Sequence, residues 1–175
     1  MAFRVNGARQ TKREIDAAIA RARDLTPVLN VAADATKTLI NDAFDGGHSP
    51  DGTRWQPLSP RTIAKRRRGS SNPLIDSGIL KSTTTATARA AVLSFGTITV
   101  YGRPHQMGFE RTGQYKRTRY NPRREEGSPW RYSVPARPFL PVTPQFALMT
   151  TGPAGQHWRE VREMVREYIR SGRVT

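Results

Sequence analysis

At 175 residues, the chain suits one domain of ordinary size. With 36% hydrophobic side chains, 14 Gly and 13 Pro, much of it must be loop, extended arm or partner-facing surface. The lack of cysteine excludes disulfides, thiolate metal sites and cysteine nucleophiles together, and suits synthesis in a cytosol. A net charge of +15, from 29 basic and 14 acidic residues, implies an anionic partner or an acidic protein surface nearby.

The opening stretch MAFRVNGARQTKREID has no apolar core of signal-peptide type, and no later run approaches the roughly 20 apolar residues a bilayer requires, so a soluble chain with no membrane partner is expected. The helical N-terminal part spans 9–45. Its first helix runs from Thr11 to Arg23, with Ile15, Ala18, Ile19 and Ala22 on a narrow apolar stripe. Thr11 with Glu14 has the spacing of a capping box. The second helix starts at Thr26–Pro27, carries Val28, Ala32, Ala35, Leu39 and Ala43 on one face, and ends at Gly46–Gly47. Both read as packing helices.

Residues 46–60 are loop by composition. Ser59–Pro60 opens a short helix that ends in the basic run Lys65–Arg68, and Asp76-Ser77-Gly78 looks like a helix start, with a side-chain cap before Ile79 and Leu80. The predicted β-hairpin core spans 82–102: one strand from Thr83, a turn at Gly96, and a second strand from Thr97 to Tyr101. Residues 109–133 have no apolar period and read as a basic loop insertion, of a length that is usually functional or disordered. Val134 to Leu140 is an extended Pro-rich arm. A C-terminal helix over 154–170 sets Trp158, Val161, Val165 and Tyr168 on one face and alternates glutamates with arginines on the other.

Four segments, in this order, carry a resemblance. They are Ser49 through Thr62 with Lys65, Leu74 through Ser82, Tyr101 through His105-Gln106-Met107-Gly108, and Val134 through Leu140. Together they resemble the phage virion morphogenesis family, related to Mu G-like tail completion proteins. Two departures stand out: Gly102-Arg103-Pro104 precedes His-Gln, and the basic insertion at 110–128 is longer than the resemblance leads one to expect.

The resemblance implies an α+β subunit, an antiparallel β-sheet flanked by helices with long loops and a Pro-rich arm, that assembles into a ring with sixfold symmetry as the expectation. It implies a neck, tail completion or tail terminator component of the virion, made in the host cytoplasm. Its partners would be copies of itself, head connector or portal-side proteins, and tail tube or tail terminator proteins. The expected interface residues are Trp55, Arg61, Lys65, Arg66, Arg67, Arg68, Arg111, Tyr115, Lys116, Arg117, Arg119, Tyr120, Arg123, Arg124, Arg137 and Phe139. Two of them stay open on the residues alone: Trp55 fills a neighbour's groove or folds onto its own core, and Arg137 pairs with a neighbouring subunit or with an acid of its own helices.

Three scattered histidines, no Gly-rich phosphate loop and no carboxylate pair beside a histidine make an enzyme unexpected, and no cofactor or metal is implied. His105-Gln106 reads as a polar hinge or a catalytic pair. The main alternative is a non-specific nucleic-acid-binding protein using the Arg-rich loops, since Tyr115, Tyr120 and Trp130 interleave with the second basic cluster. Within a ring the same loops would touch phage DNA incidentally.

Overall fold

The computed structural model describes residues 7–66, 70–89, 91–115 and 127–174. The longest helix organises the rest. Helix α2 (Thr26–Gly46) follows α1 (Ala8–Arg23), and Asp24 Oδ1 accepts from Thr26 N–H at 3.0 Å where it begins. It stops at Gly47, whose φ of 64° is open to glycine at little cost. Its buried face is Val28, Leu29, Ala32, Ala33, Thr36, Ile40, Ala43 and Phe44, while Ala35 and Leu39 are only half-buried.

Against this face lies the first sheet, β1 (Thr84–Arg89) paired antiparallel with β2 (Val92–Thr97). The hairpin is where the sequence placed one, but its turn is not. The chain reverses between Arg89 and Val92, where Ala91, a non-glycine residue, has φ 61°, and Gly96 sits inside β2 opposite Thr85. The predicted strand Thr97–Tyr101 is absent beyond Thr97, which leaves Ile98 and Val100 outside the ladder. Lys37 Nζ donates to the carbonyls of Lys81 and Thr84, fastening α2 to the foot of the hairpin.

Phe44, Trp55 and Phe139 meet with Ile40, Leu74 and Leu80 in the core, and Ile75, Phe95 and Leu140 pack around them. The Phe44 ring is edge-on to Trp55 (centroids 6.0 Å apart) and tilted against Phe139 at 5.4 Å, the offset geometries aromatic quadrupoles prefer. Helix α6 (Gly152–Ser171) packs on α2 through Ala154, Gly155 and His157. Helix α1 buries no residue, and it is held by Arg21, which donates to Ile169 O and Arg170 O and so satisfies carbonyls at the end of α6. The capping box at Thr11 does not form: the helix begins earlier, Thr11 N–H already bonds Gly7 O, and Glu14 accepts from Gln10.

Three short helices complete the body: α3 (Pro60–Lys65), α4 (Ile79–Thr83) and α5 (Gly102–Met107). Ser59 Oγ accepts from Thr62 N–H, as its sequence suggests for the start of α3. The start of α4 differs from expectation, because Gly78 at φ 77° precedes it and no side chain caps it. The two ends of the stretch read as a basic loop insertion form a second antiparallel pair, β3 (Phe109–Gln114) with β4 (Pro129–Val134). The fold is therefore α+β, with its antiparallel pairing divided between two two-stranded sheets among the described residues.

Candidate assembly interface

The basic run after α3 divides by environment. Arg61 and Lys65 are exposed on the helix, whereas Arg66 turns inward. Its guanidinium donates to the carbonyls of Ser70 (3.4 Å), Asn72, Pro73 (2.7 Å) and Ile75 (3.2 Å), folding the 70–75 loop around one cation. Arg67 and Arg68 lie outside the described residues.

Three residues expected to reach a neighbour are instead inside this chain. Trp55 is 6% exposed and its indole N–H donates to Pro138 O at 2.8 Å. Phe139 is fully buried beside it. Arg137, also 6% exposed, donates to Gln56 O at 2.9 Å and Pro57 O at 3.5 Å, so its intrachain partners are carbonyls rather than the acids considered from sequence. The segment 134–140 is extended, as its prolines dictate, but it lies in the body and is not a free arm.

What holds that segment is the pair His105-Gln106 on α5, which sequence left between hinge and catalyst. The Gln106 side chain is buried; its Oε1 accepts from Phe139 N–H and Leu140 N–H at 3.0 Å each, and its Nε2 donates to Val142 O at 2.7 Å. His105 O accepts from Arg137 N–H at 2.7 Å. Gly108 closes the turn at φ 68°, where a Cβ would lie 2.7 Å from Ala136 N. Burial pushes the His105 imidazole below its ordinary range, and the Arg137 and Arg66 guanidiniums push it the same way. Burial and Arg66 likewise lower Arg137.

The ribbon β3–β4 carries Arg111 exposed on one strand, and Glu110 pairs across to Arg131 at 2.7 Å. The Trp130 ring covers Gly113 opposite, where a Cβ would come within 2.6 Å of it. Tyr115 continues the ladder, its N–H donating to Ser128 O and its carbonyl accepting from Gly127 N–H, so the ribbon's two strands are still together at Tyr115 and Gly127. Lys116, Arg117, Arg119, Tyr120, Arg123 and Arg124 lie outside the described residues.

The sequence reading missed the bare apolar side chains. Ile98 and Val100 are 88% and 91% exposed, Ile15 and Ile19 form the open stripe of α1, and Phe146 and Leu148 project from the 143–148 turn. A signal existed in TITVY: its alternation fits a strand, and such residues need a ladder or a cover. Among the described residues, no His, Asp and Glu group is placed to hold a metal ion, and no helix is long and apolar enough to cross a membrane.

A family model described as the phage virion morphogenesis family matches residues 7–169. No curated protein and no solved structure matches the chain.

Proposed function

The chain belongs to the phage virion morphogenesis family, with a role in building the phage particle, and from that premise we propose that it is a non-enzymatic ring subunit at the head–tail joint. In this reading six copies close a ring that joins the head connector to the tail tube or its terminator. The observation that carries it is the surface left unfinished by the fold. Ile98 and Val100 stand almost wholly in solvent, and each two-stranded sheet leaves unpaired backbone edges among the described residues. Covering a side chain of this kind is worth about 1.5–3 kcal/mol, and open edges offer N–H and C=O groups to a neighbouring chain. Both are liabilities for a solitary molecule and assets for a subunit.

A second reading, incidental contact with DNA, draws on exposed Arg61 and Lys65 and on the basic residues that follow Tyr115 in the sequence. It fits inside the first, since a ring at the joint surrounds the exit path of the genome.

The ribbon tests the assembly role. Tyr115 and Gly127 are hydrogen-bonded at 2.8 Å, so replacing residues 116–126 with a two-residue Asn-Gly turn closes the hairpin without disturbing its strands. The shortened chain is expected to fold normally while particles accumulate as unjoined heads and tails. Infectious, fully joined particles from that variant would remove the tip from the assembly mechanism.

A further inference from the structure

A cleft of about 770 Å³ opens between the 56–66 segment and the base of the β3–β4 ribbon. Its walls hold Arg66, Arg137 and His105, flanked by Pro57, Val134 and Pro135. Both guanidiniums are satisfied by carbonyl dipoles alone; among the described residues neither has a carboxylate within ion-pair distance. The one acid on the wall, Glu110, is taken by Arg131 at 2.7 Å. His105 Nδ1 is buried with no hydrogen-bond partner. Buried cations are ordinarily paired with anions, and an orphaned ring nitrogen is ordinarily satisfied. Here the buried Arg137 and the half-buried Arg66 share a cleft with the His105 ring, and no anion among the described residues pairs with either guanidinium.

We propose that this cleft receives an acidic side chain, carried on an extended segment of a different, acidic protein of the particle, with Arg137 as its principal partner. Guanidinium binds carboxylate through paired, charge-assisted hydrogen bonds, and its planar fork is already fixed here by the carbonyls of Gln56 and Pro57. Two features favour a protein carboxylate over a DNA phosphate. The cations are recessed between proline and valine walls, which suit an acid on a short apolar stem. The exposed basic side chains that a duplex could reach, among them Arg61, Lys65, Arg111 and Arg131, do not line the cleft. A second copy of this chain is the less fitting occupant, because with 14 acidic against 29 basic residues it has few carboxylates to offer. The proposal rests on the assembly reading only for where the acidic protein comes from.

The test uses the full chain and an acetylated tetraglutamate peptide, with inorganic phosphate and a short DNA duplex as rival probes. Calorimetry gives affinity, and imidazole NMR signals report the place of binding. The peptide is expected to move the His105 ring signals and leave those of His157, and Arg137→Gln is expected to weaken it about tenfold or more. If that variant does not fold, Ser133→Glu, exposed on β4 at the cleft, supplies a resident carboxylate and should exclude the peptide, whereas Ser133→Asn should not. Peptide affinity indifferent to Arg137→Gln and to Ser133→Glu overturns the proposal. So does a His105 response to the duplex or phosphate in place of the peptide, or self-association abolished by Arg137→Gln. Peptide binding that behaves as expected in a protein missing from finished particles would leave the cleft standing and remove the assembly reading.

Discussion

Replacing Gln106 with leucine asks whether one amide holds the 137–142 segment in the body. The side chain is 2% exposed and makes three hydrogen bonds, two from N–H groups of Phe139 and Leu140 and one to Val142 O. Leucine fills a similar volume and offers none of them, so three buried backbone groups lose their partners. Each such group costs about 1–3 kcal/mol, and the losses are not additive because water can enter and relax the site. A total of about 3–5 kcal/mol is expected, a large share of the ~5–15 kcal/mol that holds a typical domain. Urea unfolding followed by tryptophan fluorescence reads it directly, since Trp55 bonds Pro138 within the same segment. Gln156→Leu is the control: that amide is exposed and bonds only Glu160 one turn on, so about 0.5 kcal/mol or less is expected. A Gln106→Leu loss below about 1 kcal/mol would refute the claim that this amide is the clasp.

Trp55→Ala removes a core ring and its bond to Pro138, and a loss of about 3–5 kcal/mol in the isolated chain is expected; unchanged stability with lost assembly would return Trp55 to the interface. Acidification should also destabilise the fold. Thr36 Oγ1 donates to Ala32 O, so His157 Nε2 must donate to Thr36, and the His157 imidazole is lowered by burial more than Glu160 raises it. His105 is lowered as well, so the unfolded chain binds more protons below about pH 6.5 and stability falls as pH drops through that value, levelling out below the folded-state pKa values. Urea midpoints that rise between about pH 6.5 and pH 5 contradict this sign. Finally, DNA binding by the purified protein should be weak, without sequence preference and steeply reduced by salt; nanomolar affinity for one defined sequence at physiological salt would point to a different protein.

The parts legible in the sequence were those whose signals are local. Pro27 and Gly47 bracket α2, Ser59 caps α3, and the apolar period of α6 marks its extent, because caps and periodicity act within a few residues. The hairpin β1–β2 was legible in composition and misplaced in register. Its turn uses Ala91 in a left-handed conformation, while the glycine that looked like the turn lies in the strand. The β3–β4 ribbon was read as loop since both of its faces are largely exposed and no alternation of apolar and polar residues marks it. Trp55 and Arg137 could not be placed from sequence. Each is fixed by partners 80 to 83 residues away along the chain, Pro138 in one case and Gln56 and Pro57 in the other. The alternation of Ile98 and Val100 signalled residues that need a ladder or a cover, but not that the ladder stops at Thr97 and leaves them bare.

Cryo-electron microscopy of the finished particle addresses the ring directly. Density for this chain is expected as a closed ring between head and tail, with Ile98 and Val100 covered by neighbouring chains. Mature particles that lack the protein, or hold it as single copies with those side chains still facing water, would contradict the account.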